Sequence, residues 1–492
     1  MHRPISANVM DRTSEMGARM TVPYYYRSID FDKLVRDYPP SRDYAESVFL
    51  FERKQIEEIQ NRRFLEIVEW AWGNPFYQKT WQQHGVRREA IRSKDDLTKL
   101  PMVAVEDFKD SIKTHPPFGE HPGLARADGA RVPIKLQSSG GTTGMPRPTL
   151  FTPLEWEIQG IQGSRALWLQ GARPGDVMQI PSTLSTANLG WFYYLSCLHW
   201  SGIAPVTTGS GNVTPSRRQL EVAFDWGVNL WAGFPEYLLH LAAVAQQAGL
   251  DLRRLGTRFI ATFLGPDLDG SLRKMMEGAW HCPVFDNYGT HEVGLPAFEC
   301  QEKDGLHLME DMFIIEVADV DTDAILPDGE KGNLVITSLY RHHPPLIRYN
   351  LRDYIRIVSD GQRRCGCGSY TRRMDHFLGR SDDMVKIRGT NVFPMACVRA
   401  VTSDDRTTGE WLCVVERRGA GLEIREDMTV QVEVKDGIEG RAEELIRILE
   451  DRLKSDLGIR VTVELVAAGS LRDYTYGREG KARRLLDKSR AT

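Results

Sequence analysis

Gln137-Ser138-Ser139-Gly140-Gly141-Thr142-Thr143-Gly144-Met145-Pro146 is the densest run of small residues in the chain, and the fold class turns on what it serves. Glycine lets a backbone approach an anion closely, and Ser and Thr hydroxyls with bare amides donate to phosphate oxygens. No Lys follows the glycines in the G-x-x-x-x-G-K-[ST] spacing, so the P-loop NTPase fold is disfavoured; a different phosphate loop and a flexible linker both stay open. Outward from this run, between Val132 and Leu250, apolar stretches alternate with breaks such as Ala172-Arg173-Pro174-Gly175 and Gly209-Ser210-Gly211, the pattern of an α/β body. Upstream, apolar residues at helical spacing from Ser47 to Trp72, stopped by Gly73-Asn74-Pro75, predict one long packed helix. Downstream of Gly379, Val430, Val432 and Val434 alternate with polar residues, Leu445, Leu449, Leu453 and Leu457 share a helix face ended by Gly458, and Val461, Val463 and Leu465 alternate again. The expected fold class is α/β, a large N-terminal body of several subdomains with a small mobile α+β C-terminal domain.

The 492 residues exceed one domain, and 41% hydrophobic with 26% charged residues is a globular composition. A formal charge of -4 gives no reason to expect a nucleic-acid or membrane-surface partner, so small-molecule chemistry is the default. No apolar stretch reaches the roughly 20 residues of a membrane helix, and the first residues lack the apolar centre of a secretory signal, so a cytoplasmic protein is expected. The seven cysteines are odd in number and unevenly spread, which argues against a disulfide framework.

Four more motifs follow in order: Asp286-Asn287-Tyr288-Gly289-Thr290-His291-Glu292; Arg348-Tyr349-Asn350-Leu351-Arg352-Asp353; Gly379-Arg380-Ser381-Asp382-Asp383-Met384-Val385-Lys386-Ile387-Arg388-Gly389; and Gly477-Arg478-Glu479-Gly480-Lys481. Each is weak alone. The ordered set resembles the superfamily of adenylate-forming enzymes, which includes acyl-CoA synthetases, peptide-synthetase adenylation domains and luciferase, from about residue 45 to 490. Asn74-Pro75-Phe76-Tyr77, Asn391-Val392-Phe393-Pro394 and the Cys365-Gly366-Cys367-Gly368 element are similar to the phenylacetate-CoA ligase branch.

The resemblance implies ATP, Mg2+ and coenzyme A, and it implies roles. Ser138, Ser139, Gly140, Gly141, Thr142, Thr143 and Gly144 would hold the β- and γ-phosphates. Tyr288 and Gly289 would lie against the adenine, with Gly265 and Asp267 on its other side. Glu292 would ligate Mg2+, a hard cation that favours carboxylate oxygen, and Asp353 would accept both ribose hydroxyls. Arg380 would meet phosphate or ribose, Asp382 would be the hinge, and Lys481 would enter the site from the small domain as the catalytic ammonium. Gly477 to Thr492 carries six basic and two acidic residues, which suits a segment that visits phosphates. The implied organisation is a loose leader over 1–45, a large domain over 46–379 and a lid over 380–492.

Two positions depart from the family pattern. His291 stands where a hydroxyl residue is usual before the metal-binding Glu, and Leu351-Arg352-Asp353 replaces Thr-Gly-Asp, which puts a bulky cation where a turn glycine is normal. His291 is placed in the catalytic set with Glu292: either it donates in place of the hydroxyl, or the site is altered. Separately, Cys300, His307, Cys365 and Cys367 are three thiols and an imidazole, a soft set suited to tetrahedral structural Zn2+, against the alternative of four unrelated residues with core thiols. Trp191, Tyr193, Trp231 and Phe234 are the expected aromatic pocket for an acid.

The function expected is AMP-forming activation of a small, aromatic carboxylic acid, with acyl transfer to a thiol, coenzyme A being favoured. Two alternatives stay open: activation of nitrite and transfer to an aryl amine, and a non-catalytic nucleotide-binding regulatory protein. The side chain of the acid, the acceptor and the oligomeric state are not fixed by the sequence.

Overall fold

Short apolar runs bounded by Gly and Pro become strands buried on both faces, as continuous apolar patterning requires of a parallel sheet covered by helices. In the computed structural model, which describes residues 22–123, 133–138, 147–267, 270–381, 385–387, 390–418, 425–438, 440–475 and 483–488, every residue of Leu230–Ala232 and Phe259–Thr262 is buried. The strands Ala204–Val206, Val177–Gln179, Leu230–Ala232, Phe259–Thr262 and Val284–Thr290 lie side by side, all parallel. Helices Pro153–Gln170, Ser216–Asp225, Pro235–Gln247 and Ser271–Trp280 accompany them along the chain.

Val284–Thr290 is where the sheet changes character. It pairs in parallel with Phe259–Thr262 and antiparallel with Gly294–Glu299, and beyond that the sheet is antiparallel through Leu306–Leu308, Arg373–Met374, Tyr349–Ser359, Lys331–Ser338 and Phe313–Ala318. Such switch points, at the carboxyl ends of parallel strands, leave a crevice that no crossover fills. Tyr349–Ser359 also receives Gly379–Arg380, with Asp353 opposite Arg380.

A second core lies after Gly379. Thr407–Arg418, Arg425–Val434, Thr462–Ala467 and Leu485–Asp487 form a sheet, and helix Ala442–Leu457 buries Leu445, Leu449, Leu453 and Leu457 against it. Gly458, at φ +71°, ends that helix in the left-handed conformation expected of its position.

The predicted long helix is shorter than its apolar pattern. Glu52 and Gln55 form a capping box that starts the helix at Arg53, and Val48 and Phe49 fall in a preceding turn of 3-10 helix. Among the described residues no helix is long and apolar enough to cross a membrane.

Candidate active site

At the switch strand, Tyr288 is buried and its hydroxyl donates to Asp353 Oδ2. Arg380 Nη1 donates to the other oxygen, Asp353 Oδ1, at 3.0 Å. The two bonds share one carboxylate between a phenol and a guanidinium, a charge-assisted arrangement. Burial, with Asp353 beside it, raises the Tyr288 phenol well above its ordinary value, so it stays a donor. Phe377 stacks on the Tyr288 ring at an interplanar angle of 29°, with centroids 6.0 Å apart. Beneath them, buried Asp286 accepts from the Leu264 N–H and approaches His376 Nδ1 at 2.7 Å, which fixes the strand relative to the loop that follows Phe259–Thr262.

The Arg352 departure has a structural answer. Arg352 adopts φ +58°, the left-handed geometry that a glycine would take, inside a bulge of Tyr349–Ser359 against Lys331–Ser338. Asn350 Oδ1 accepts from the Arg352 N–H at 2.9 Å, the Arg352 side chain pairs with Glu106 at 2.9 Å, and its carbonyl accepts from the Ser381 N–H at 2.7 Å. The bulge next to Asp353 is thus held by Arg352, which ties it to Ser381.

Glu292 is 14% exposed and forms an ion pair with Arg147, whose Nη1 also donates to Tyr349 Oη at 2.9 Å. Burial pushes the Glu292 carboxyl up, but Arg147 and His291 more than offset this and hold it below its ordinary value. His291 is also held below its ordinary value, chiefly by burial, and its Nε2 is buried with no hydrogen-bond partner among the described residues. A deprotonated carboxylate beside an unpartnered imidazole nitrogen is a donor set that suits a divalent cation or an anion bound to one.

Ser138 ends the strand Lys135–Ser138, its N–H bonded to Thr186 O at 3.0 Å. Ser139 to Gly144, Asp382 and Lys481 lie outside the described residues. Gly265 has φ +73°, and Asp267 uses both carboxylate oxygens on the N–H groups of Leu272 and Arg273, at 3.0 Å each, at the start of helix Ser271–Trp280. Gly289 has no room for a side chain: a Cβ would meet Gly294 O at 2.7 Å and Phe263 at 3.0 Å.

The aromatic set is only partly as expected. Trp231 is fully buried against Trp280, with centroids 4.7 Å apart, and has no surface to offer a substrate; it belongs to the core because its strand is covered on both faces. Tyr193 is likewise buried in the core, against Phe263, whereas Phe234 is exposed and approaches Phe263 at 6.4 Å between centroids; Phe263 in turn abuts Gly289. Trp191 is anchored by Nε1 to Ser185 O and lies under Lys135 Nζ at 4.3 Å. Phe263, Phe377, Arg147 and Tyr349 were not picked out from the sequence. Arg147 had one signal, as the first cation after the glycine run.

Away from the crevice, the ligand atoms of Cys300, His307, Cys365 and Cys367 all lie within 4.8 Å of one another. His307 Nδ1 bonds Thr371 Oγ1 at 2.8 Å and Nε2 faces Cys367 Sγ at 3.4 Å. Holding one ring nitrogen on a hydroxyl and presenting the other to sulfur is the orientation a metal-bound imidazole needs.

Residues 389–489 match the family model described as AMP-binding enzyme C-terminal domain. Over 460 residues, 91% of this chain and 98% of the other, the sequence is 29% identical to the phenylacetate-coenzyme A ligase of Aromatoleum evansii, and over 438 residues, 87% and 94%, it is 29% identical to that of Pseudomonas putida. The fold matches 2-hydroxyisobutyryl-CoA ligase in its postadenylation state with a TM-score of 0.78, at 24% identity, covering 92% of this chain and 94% of that one. These matches support an adenylate-forming, phenylacetate-CoA ligase-like reading of the chain.

The bulge gives a direct stability prediction. Because the left-handed conformation costs a non-glycine residue roughly 1–2 kcal/mol, and more when the side chain is β-branched, Arg352→Gly should be nearly neutral and Arg352→Val should lose about 1–2 kcal/mol more than the Gly variant in urea denaturation. Equal losses for the two would show that the bulge does not impose the strain.

Proposed function

We propose that this adenylate-forming enzyme is an AMP-forming acid–CoA ligase that adenylates a small aromatic carboxylic acid and passes the acyl group to the thiol of coenzyme A. The observation that carries the substrate class is exposed Phe234 beside partly buried Phe263, which abuts the Gly289 turn that leads to His291 and Glu292. A flat ring bound among those aromatics would point its carboxylate toward the phosphates. The curated relatives are named for phenylacetate and coenzyme A, which supports the same class.

The chemistry is a charge problem. A carboxylate must attack the α-phosphorus of a polyanion, so the residues that matter are those that place positive charge where negative charge builds. Asp353 and Tyr288 would hold and orient the nucleoside, Ser138 to Gly144 would take the β- and γ-phosphates, and Glu292 with His291 would bind Mg2+ and the adenylate phosphate. Mg2+, when bound, neutralises phosphate charge. Lys481 would supply an ammonium from the small domain, then withdraw about a hinge at Asp382 to admit the acceptor. In support of two poses, the structural neighbour 2-hydroxyisobutyryl-CoA ligase has been captured in both a postadenylation and a thioesterification state.

A second function, nitrite activation and transfer to an aryl amine, is favoured by the unpartnered His291 Nε2, a nitrogen donor beside the metal carboxylate where a hydroxyl is usual. Arg352 lends it no support of its own, because at φ +58° it takes the left-handed geometry that a glycine would take there.

ATP–pyrophosphate exchange over a panel of aryl acids and nitrite separates these. An aryl acid should drive exchange, and Lys481→Ala should lower it by a factor on the order of 100 while ATP binding changes little, since the ammonium acts mainly on the transition state. Exchange with nitrite alone would select the second function, and exchange with nothing would reject both.

We also assign Cys300, His307, Cys365 and Cys367 to one structural Zn2+, because four protein ligands leave no position for substrate. Elemental analysis should find one zinc per chain, and Cys365→Ser should lose it and melt at lower temperature. Zinc-free protein, or a variant with unchanged metal and melting point, would refute the site.

A further inference from the structure

His376 lies in the stretch between Arg373–Met374 and Gly379–Arg380, next to the Phe377 ring that stacks on Tyr288. Four residues further on, Arg380 donates to Asp353. The stretch therefore carries two of the groups around the candidate nucleoside site, and its anchorage sets where they stand. Backbone bonds hold its ends: the Asp375 N–H donates to Arg356 O at 2.8 Å, and the Leu378 N–H donates to Tyr354 O at 3.0 Å. Between them the anchor is a side chain. His376 Nδ1 approaches Asp286 Oδ2 at 2.7 Å, and Asp286 Oδ1 accepts from the Leu264 N–H at 2.8 Å. Because Leu264 precedes Gly265, one buried carboxyl ties together the Tyr288 strand, the Phe377 stretch and the Gly265 turn.

The second ring nitrogen is also faced. His376 Nε2 lies 3.5 Å from Glu299 Oε1, on the neighbouring strand Gly294–Glu299. Glu299 is fully buried and is held by both terminal nitrogens of Arg273, from helix Ser271–Trp280, at 2.7 and 2.9 Å. Asp286, Glu299 and Arg273 are thus the charged groups that face His376 from the packed elements among the described residues, and Asp375, paired with Arg356, accepts from its N–H at 3.0 Å. Burial pushes the imidazole down, but the hydrogen bond to Asp286 and the charges of Asp286 and Glu299 outweigh burial and Arg273 and raise it above its ordinary value. A neutral ring could keep one N–H for Asp286, yet it would turn a bare lone pair toward Glu299. With 27% of the side chain exposed, the proton can exchange with solvent.

We propose that His376 is a positioning residue for the nucleotide and that the proton on its ring closes the site: the imidazolium bridges Asp286 and Glu299 and so holds Phe377 on Tyr288 and Arg380 on Asp353. Loss of that proton loosens the stretch and weakens ATP binding. The residue needs no bond to the nucleotide. This role rests on the proposed reading of Tyr288, Asp353 and Arg380 as the nucleoside site. Its sign is fixed: affinity is highest below the His376 titration and falls as pH rises through it, because the proton that favours binding is lost in that direction.

The test is calorimetric titration of ATP in excess Mg2+, with no acid present, into folded wild-type, His376→Gln, His376→Arg and Asp353→Asn proteins between about pH 6.5 and 8.5, a window that starts at the ordinary histidine value. Wild type should lose about tenfold in affinity across the window, the size of a one-unit coupling between proton and ligand. His376→Gln keeps an N–H for Asp286 without the charge, so it should bind at the weak, high-pH level throughout. His376→Arg keeps the charge and should recover part of the affinity at about pH 8.5. By reciprocity, wild type should take up protons as it binds ATP, read from heats in buffers of different ionisation enthalpy, and His376→Gln should take up fewer. A histidine that only packs would change affinity and leave the proton count alone. If His376→Gln keeps wild-type affinity, pH dependence or proton uptake, the inference is wrong, and a weakened Asp353→Asn protein then leaves the nucleoside site standing. If Asp353→Asn binds ATP like wild type, the site and the inference fall together.

Discussion

Asp353 is a buried carboxylate that two distant parts of the chain must satisfy at once. Tyr288 reaches it from the strand where the sheet changes from parallel to antiparallel, and Arg380 reaches it from the short strand that precedes the small domain. A buried carboxylate without partners costs several kcal/mol, so satisfying it ties the two strands together. The rest of the crevice is placed from there. The bulge that aims Asp353 fixes Arg352, Arg352 O holds Ser381, and Tyr288 sets the turn at Gly289 that leads to Glu292.

The same electrostatic constraint recurs at Glu292, where Arg147 offsets the upward push of burial on the carboxyl. Both acidic groups of the crevice are thus held by partners, Tyr288 and Arg380 in one case and Arg147 in the other. An enzyme that must receive a triphosphate and a second anion gains from such arrangements, because the charges are oriented before the substrates arrive.

Much of this was legible in the sequence where function requires a local pattern. Tyr288, Glu292 and Asp353 sit in short motifs, and the Cys300, His307, Cys365 and Cys367 set has ligand chemistry even across 60-residue gaps. The small domain was legible because its alternation and its leucine stripe are local periodicities. Arg147 was not, since its meaning depends on a partner 145 positions away. Phe263 and Phe377 carry no pattern that separates an aromatic at a crevice from one in a core, and Trp231 was misplaced for the same reason. Arg352 misled in a different way: residue preference argues for glycine at φ +58°, yet Asn350, Glu106 and Ser381 together hold an arginine there.

The central claim is that the Tyr288, Asp353 and Arg380 cluster is the nucleoside site. Calorimetric titration of ATP into wild-type and Asp353→Asn protein tests it most directly. Loss of a carboxylate that accepts from both ribose hydroxyls should weaken ATP binding by at least about tenfold, since each charge-assisted bond contributes on the order of 1.5–3 kcal/mol. Unchanged ATP affinity in a folded Asp353→Asn protein would place the nucleotide elsewhere and contradict the account.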